Sequence, residues 1–271
     1  MTTVPDFAMF AQEFRPDRLV AYRSVGGVTL HLHLFLPTTP AGRSAVLWFH
    51  GGGWTGGTPT QFYPQCRALA GRGMLAASAE YRLAASHGIT PFDGLADAKA
   101  AVRWLRQHAA DLDFDPACLT VGGGSAGGHL AAATALLDLE EPDADTPVSC
   151  VPAALLLCNP VLDTTESGYG AAFIGPRCRE LSPVHHVRPG APPAVVFHGT
   201  ADTTVPLANA QRFALAMRQA GNRCDLHAYP GHTHGFFNYG RNETYADVLT
   251  HSLAFLRSLS LVQGACAEEG S

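Results

Sequence analysis

The feature that most restricts what this chain can fold into is a glycine-rich turn between an apolar run and a helix-forming run. The apolar run covers residues 119–121, the turn covers residues 122–128, and residues 129–137 favour a helix. Gly123, Ser125 and Gly127 fit the pattern G-x-S-x-G, in which a strained turn lifts a serine hydroxyl above the edge of a sheet. Glycines are needed there because the strand and the helix come too close for larger side chains. The pattern predicts a strand, a sharp turn at Ser125 and a helix.

Three further loops have the same character, because each follows an apolar, strand-like run. They begin at His50, at His198 in the run that includes Asp202, and at Pro230 in the run that includes His234. The carboxyl ends of parallel strands lie at one edge of a sheet, so these loops are expected to meet Ser125 there. The serine turn alone decides little, since a glycine-rich turn before a helix can also hold a phosphate group.

Strands and helices alternate along most of the chain, which predicts an α/β fold with a mostly parallel central sheet and helices on both faces. Residues 19–24 and 28–36, joined by Gly26 and Gly27, predict an antiparallel N-terminal hairpin. A length of 271 residues with 46% hydrophobic side chains favours a single domain, 1–271. Within it, residues 1–18 are expected to form a short N-terminal cap segment. The irregular, glycine- and proline-rich residues 161–193 are expected to form a small lid-like insertion.

A serine hydroxyl is by itself a poor nucleophile at neutral pH. It becomes a nucleophile when an imidazole removes its proton, and the imidazole is oriented by a carboxylate. Ser125, Asp202 and a histidine after the last strand supply these groups in the order Ser, Asp, His, although spacing alone leaves both His232 and His234 open. The resulting oxyanion needs donors, which the amide of Ala126 and those of two loop glycines can supply. These glycines are Gly52 and Gly53.

Five motifs together carry a family resemblance: HGGGW at 50–54, EYRLA at 80–84, GGSAGGHLAAA at 123–133, HGTADTTVP at 198–206 and HGFF at 234–237. With them the chain resembles the α/β-hydrolase superfamily, in the branch of hormone-sensitive lipase and small bacterial esterases, including acetyl-xylan and feruloyl esterases. The resemblance implies Ser125 as nucleophile, Asp202 as acid, and His234 rather than His232 as base. It also implies an oxyanion hole at Gly52, Gly53 and Ala126.

Two departures from this family bear on the substrate. Only 49 residues precede His50, where many lipase-like members have a longer cap, and Gly124 stands where many have an aspartate. Both point to the thinly capped esterases. Each acyl methylene gains about 0.8 kcal/mol only where an apolar wall buries it, and little of the chain is left to build a deep wall. We therefore expect a preference for short acyl groups.

The function predicted from the sequence is cleavage of short-chain carboxylic esters through an acyl-enzyme, with acetylated sugars as candidate substrates. Trp54 and Tyr169 are candidates for aromatic walls of the pocket that could stack on a sugar face, with ordinary packing as the alternative for each. Gly51 and Phe236 are further candidates for the pocket lining. One alternative is an arylformamidase or amidase, because HGGxW loops also occur in that branch. A further alternative is a non-catalytic ligand-binding protein, which the histidine in the HGF motif disfavours, and a lyase or cyclase reusing the same turn is a third.

Charge and residue patterns disfavour nucleic acid, membranes, metals and cofactors as partners. A formal net charge of −5 without a basic stripe disfavours binding to nucleic acid or an anionic membrane, and residues 1–10 lack the features of a signal peptide or membrane span. The seven cysteines are scattered without a C-x-x-C pair, which predicts free thiols and a cytoplasmic location. His31 with His33, and His185 with His186, lack the spacing of a metal site, so no metal or cofactor is expected. The expected partner is a small ester, and a homodimer stays open.

Overall fold

The strands of this protein form one sheet in the described residues, which are 7–38, 43–139, 147–240 and 243–262 of a computed structural model. The strand bounds are β1 Arg18–Val25, β2 Val28–Phe35, β3 Ala45–Phe49, β4 Leu75–Ala79, β5 Leu119–Gly124, β6 Ala154–Cys158, β7 Ala194–Gly199 and β8 Cys224–Tyr229. Their order is β1-β2-β4-β3-β5-β6-β7-β8. The β1–β2 and β2–β4 pairs are antiparallel and the others are parallel. The predicted mostly parallel sheet with an antiparallel hairpin is confirmed.

Helices cover both faces of this sheet. Within the described ranges the α-helices are α1 Phe7–Glu13, α2 Tyr63–Ala70, α3 Ala84–His87, α4 Pro91–Gln107, α5 Ala126–Leu136, α6 Ala171–Ile174, α7 Leu207–Gln219 and α8 Thr244–Ser258. Short 3₁₀ helices lie at Pro59–Phe62, Pro116–Cys118, Gly175–Leu181 and Pro183–His186. The short helices α1, α3 and α6 are not predicted from the sequence. Helix α1 is held by tertiary packing, because Phe10 and Phe14 each contact the ring of Tyr239 edge-on.

The core consists of two apolar layers separated by the sheet. Leu155 and Leu157 of β6 pack in the layer that contains α4, α5 and α7, whereas Leu156 packs in the layer that contains α2 and α8. This alternation follows from the two-residue period of a strand. Strands β3 to β7 are buried along their whole length. Because these central strands are buried, the loops at the carboxyl edge of the sheet begin from well-packed strand ends.

Arg82, which follows β4, forms an ion pair with Asp97 of α4. Its Nε donates to Oδ2 of Asp97 at 2.9 Å, and Asp97 is fully buried in α4. Asp93 closes a capping box with Thr90 at the start of the same helix. The ion pair holds α4 at the end of β4, and the capping box stabilises the start of this helix.

Two other sequence expectations concern the cysteines and the absence of a membrane span. In the described part of the chain six cysteines are free thiols, five of them buried, while Cys266 and residues 1–6 of the expected cap lie outside the described residues. A search of the described helices finds no span with the length and apolar character needed to cross a membrane.

Candidate active site

Ser125 lies in the sharp turn between β5 and α5. Its backbone has φ +54° and ψ −118°, a left-handed conformation that is strained for a residue with a side chain. A Cβ atom on Gly123 would overlap the backbone of Gly127, and one on Gly127 would overlap the backbone of Phe49. The two glycines of the motif are therefore required by the close approach of β3, β5 and α5, as the sequence pattern predicts.

The structure brings Ser125, His234 and Asp202 into one chain of hydrogen bonds. Oγ of Ser125 lies 3.0 Å from Nε2 of His234, and Nδ1 of His234 lies 2.7 Å from Oδ2 of Asp202. His232 does not lie between them; its ring packs against Tyr229 and Phe236 instead. Of the two histidines that spacing left open, His234 has the geometry of a base for Ser125.

Asp202 is held as a carboxylate by donors from several directions. Its Oδ1 accepts the backbone N–H groups of Thr204 and Val205, each at 2.9 Å. Burial raises the pKa of Asp202, but the hydrogen bonds from His198 and His234 outweigh burial and hold this pKa well below its usual value. Asp202 is therefore ionised at neutral pH and can orient His234.

The loop after β3 lines the same cavity as Ser125. Gly52 has φ +123° and Gly53 has φ +62°, and a Cβ atom on Gly52 would overlap the carbonyl of Gly56. Within the residues that the structure describes, no acceptor takes the N–H of Gly52 or Gly53. Together with the N–H of Ala126, the first residue of α5, these amides are available to a negatively charged oxygen.

His50 fixes the orientation of this loop. Its Nδ1–H donates to the carbonyl of Gly51 at 2.7 Å, and its buried ring stacks on Tyr81 with 4.4 Å between ring centroids. Burial lowers the pKa of His50 to about 4, so the ring is neutral at physiological pH. Because the carbonyl of Gly51 and the N–H of Gly52 belong to one peptide group, this hydrogen bond also sets the direction of the Gly52 N–H.

A cavity of about 530 Å³ opens onto these groups. Two of the predicted pocket residues, Gly51 and Tyr169, line it. Trp54 does not: it is 1% exposed, and its Nε1–H donates to Nδ1 of His129 at 3.2 Å. Phe236 is 2% exposed and packs against Tyr229. The expectation that Trp54 and Phe236 face the substrate is therefore wrong, because both rings belong to the interior.

The structure also brings to this cavity residues that were not predicted from the sequence, among them Gln61, Asn159, Phe237 and Asn238. Asn159 has φ +33°, and its Oδ1 accepts the N–H of Gly235 at 2.9 Å. Its Nδ2 lies 3.5 Å from Nε2 of His234. One signal was available, since Asn159 is the polar residue that directly follows β6 at the edge that carries the other loops. In the described part of the chain, no cluster of three His, Cys, Asp or Glu side chains is arranged to hold a metal ion.

Comparison with known proteins identifies the family of this chain. The family described as alpha/beta hydrolase fold matches residues 46–176, and the prolyl oligopeptidase family matches residues 165–260. Est2, a thermophilic esterase from Thermogutta terrifontis solved with bound propionate, is 42% identical, with a TM-score of 0.88 over 93% of this chain and 98% of that one. The chain belongs to the α/β-hydrolase family. The resemblance stated from the motifs and the fold expected from it are thereby confirmed.

Curated relatives within this family are esterases. Carboxylesterase NlhH of Mycobacterium tuberculosis is 28% identical over 82% of this chain and 75% of its own length. The acetylxylan esterase of Xylanibacter ruminicola is 28% identical over 83% of this chain and 47% of its own length. These relatives, the similarity to Est2 and the serine turn together show that this α/β-hydrolase is a serine carboxylic-ester hydrolase.

Proposed function

We propose that the protein hydrolyses short-chain carboxylic esters with Ser125 as nucleophile, His234 as general base and Asp202 as the carboxylate that orients it. The observation that carries this proposal is the hydrogen-bond chain from Ser125 to His234 at 3.0 Å and from His234 to Asp202 at 2.7 Å. A neutral imidazole whose Nδ1–H is held by a carboxylate leaves its Nε2 lone pair free to accept the serine proton.

The reaction has two halves. Oγ of Ser125 attacks the ester carbonyl carbon while its proton passes to Nε2 of His234, and the carbonyl oxygen becomes an oxyanion facing the amides of Gly52, Gly53 and Ala126. The imidazolium then protonates the alcohol oxygen, the C–O bond breaks, and an acyl group stays on Ser125. Water, deprotonated by His234, attacks this acyl group, and the carboxylic acid and the free serine are released.

Short acyl groups are favoured by two observations. Structures of Est2 with bound propionate and with bound butyrate are 42% and 41% identical to this chain, respectively. The cavity beside Ser125 is also lined by Phe7, Tyr169 and Phe237, three bulky side chains that limit the room for a long acyl chain. The acetylxylan esterase relative supports acetylated sugars as one class of substrate to test.

Residues 161–193 are proposed as the outer wall of this pocket. Tyr169 belongs to that segment and lines the cavity. The segment is tied to α7, because Asp163 accepts a hydrogen bond from Arg212 at 2.8 Å, and it is also braced internally, because the hydroxyl of Thr164 donates to the carbonyl of Cys178. Such ties favour a fixed wall over a loose surface loop.

Active-site labelling tests the proposal. Paraoxon, which phosphorylates Est2, is incubated with the protein, and the modified peptide is identified by mass spectrometry. A single adduct on Ser125, with loss of turnover in Ser125→Ala and full turnover in the matched variant Ser167→Ala, is expected. Labelling of another serine, or turnover by Ser125→Ala close to that of the parent protein, would remove the assignment.

Substrate preference is measured separately with p-nitrophenyl esters from acetate to decanoate and with acetylated xylo-oligosaccharides. We expect kcat/KM to be greatest between acetate and butyrate. A maximum at octanoate or beyond contradicts the short-chain proposal. Faster turnover of N-formylkynurenine than of every ester would favour the arylformamidase alternative instead.

We also propose a reducing, cytoplasmic environment, because the six described cysteines are free and burial raises the pKa of Cys224 to about 12, which suppresses its thiolate.

The homodimer stays a prediction. Light scattering of the purified protein at several concentrations measures its assembly state directly.

A further inference from the structure

The loop that carries the oxyanion amides and the loop that carries His234 are connected by a chain of hydrogen bonds between amides. The N–H of Gly51 donates to Oε1 of Gln61 at 2.7 Å. Nε2 of Gln61 donates to Oδ1 of Asn238 at 3.0 Å. Nδ2 of Asn238 then donates to the carbonyl of Gly235 at 2.9 Å. Gln61 is therefore the link between the two catalytic loops.

Both ends of this chain are backbone groups, which fixes the orientation of the two side-chain amides between them. The N–H of Gly51 can only donate, so the oxygen of Gln61 faces it and the nitrogen of Gln61 faces Asn238. The carbonyl of Gly235 can only accept, so the nitrogen of Asn238 faces it. Rotating either amide by half a turn would oppose two donors or two acceptors. Each donor in the chain thus points the same way, from Gly51 toward Gly235, an arrangement in which hydrogen bonds strengthen one another.

The chain continues to the catalytic histidine. The N–H of Gly235 donates to Oδ1 of Asn159 at 2.9 Å, and Nδ2 of Asn159 lies 3.5 Å from Nε2 of His234. Gly235 is consequently held at its carbonyl by Asn238 and at its N–H by Asn159. This fixes the backbone that directly follows His234.

Gln61 itself is firmly anchored. It lies in the 3₁₀ helix Pro59–Phe62, where the side chain of Thr58 accepts the N–H of Thr60. The next residue, Phe62, is fully buried and stacks on Trp48 with 4.6 Å between ring centroids. Gln61 and Asn238 are 8% and 4% exposed, so water has little access to replace their hydrogen bonds.

We propose that Gln61 is a positioning residue for ester hydrolysis, which holds the oxyanion loop at Gly51 in a fixed relation to the loop that carries His234. This inference rests on the proposed function. In the transition state the amides of the first loop stabilise the oxyanion while His234 carries the proton, so both loops must be correctly placed at the same moment. Binding of the uncharged ester before reaction makes a weaker demand on that geometry. Loss of the link is therefore expected to lower kcat more than it raises KM.

The test uses Gln61→Met, which keeps the length of the side chain and removes both hydrogen bonds. The matched control is Gln65→Met: Gln65 lies one turn further on in α2, is 6% exposed, and its Oε1 has no partner within the described residues. Turnover of p-nitrophenyl acetate is expressed per active site titrated with paraoxon, so that unfolded protein is not counted. We expect Gln61→Met to lose about 10- to 100-fold in kcat, with KM within about twofold of the parent value. Gln65→Met is expected to keep the parent kcat.

A double variant tests whether the link acts as a unit. If Gln61 and Asn238 act through one chain, Gln61→Met combined with Asn238→Leu loses no more kcat than the worse single variant. Multiplied losses, or a Gln61→Met variant with parental kcat per titrated site, would overturn the inference. If Gln61→Met gives too few titratable sites, kcat is measured in Asn238→Leu, which breaks the next hydrogen bond of the chain. A parental kcat in Asn238→Leu would also overturn the inference. Failure of paraoxon to label Ser125 in the parent protein would instead reject the proposed function.

Discussion

Nε2 of His198 lies 3.4 Å from Oδ2 of Asp202, the same oxygen that accepts the hydrogen bond from His234. His198 is fully buried, and its Nε2 also lies 2.7 Å from the carbonyl of Val205. An Nε2–H donor accounts for both contacts. Asp202 thus faces a second histidine, His198, in addition to His234, and His198 helps to keep the carboxylate ionised.

The first prediction separates the two partners of Asp202. Asp202→Asn is expected to lower kcat by about 10³- to 10⁴-fold, because an amide holds the wrong tautomer of His234. His198→Leu is expected to lower kcat by only about tenfold, since the backbone N–H groups of Thr204 and Val205 still hold Asp202. Turnover of p-nitrophenyl acetate is the measurement, with Asp225→Asn on β8 as control. Equal losses in the two variants would mean that His198 matters as much as the carboxylate.

The second prediction concerns Gly124, where many related enzymes have an aspartate. A Cβ atom on Gly124 would lie 2.5 Å from Cζ of Phe237, a buried ring that lines the catalytic cavity. Gly124→Ala is therefore expected to cost about 1 to 3 kcal/mol in the free energy of unfolding, because the ring must move. Adding Phe237→Leu should make the double variant less unstable than the sum of the single changes. Urea unfolding measures all three variants, and strictly additive losses would show that this contact does not restrict position 124.

Local sequence was sufficient for most of the fold and for the loops around Ser125. Each loop follows a buried strand, and buried parallel strands have a strong apolar signal. The direction of a side chain within a loop has no such signal, which explains the wrong expectation for Trp54. Its indole turns inward because His129, 75 positions away, offers an acceptor. The bond between Gln61 and Asn238 joins residues 177 positions apart and depends on the complete fold.

The third prediction is a dependence of stability on pH. Glu80 follows β4 and lies 3.0 Å from Nδ1 of His31 and 3.2 Å from Nε2 of His33. Burial raises the pKa of Glu80, but the hydrogen bonds from His33 and His31 outweigh burial and lower this pKa to about 2. A carboxyl group whose pKa is lower in the folded state stabilises that state above its unfolded pKa of about 4.3, and this contribution is lost as the pH falls toward the folded value.

Glu80→Gln should therefore lower Tm at pH 7, and the difference from the parent protein should shrink as the pH falls from about 5 to 2. Thermal unfolding followed by circular dichroism across this range is the measurement. Glu166→Gln, at an exposed position, is the control and should follow the parent protein throughout. A Tm difference that stays constant with pH would show that Glu80 contributes through packing alone.

The fourth prediction starts from a hydrogen-bonded bridge between the loop after β3, helix α5 and residues 161–193. Nε1–H of Trp54 donates to Nδ1 of His129 in α5, and Nε2 of His129 lies 2.7 Å from the carbonyl of Leu181. Burial lowers the pKa of His129 to about 4, so the ring is neutral, with Nδ1 as acceptor and Nε2–H as donor. The ring of Tyr169 lies on this bridge, 6.0 Å from that of Trp54 between centroids. The packing of its ring against Trp54 therefore holds Tyr169 in place as one wall of the cavity.

Removing this wall should lengthen the accepted acyl chain. In Tyr169→Ala the ring no longer closes the cavity, and each further methylene can gain up to about 0.8 kcal/mol, or about fourfold in kcat/KM, where apolar surface covers it. We expect the ratio of kcat/KM for p-nitrophenyl octanoate to that for the acetate to rise at least about tenfold over the parent protein. Tyr169→Phe is the matched control, since it keeps the ring, and its ratio should stay at the parent value. An unchanged ratio in Tyr169→Ala would place the acyl chain on another side of Ser125, and Phe237→Ala and Phe7→Ala would then be compared in the same assay.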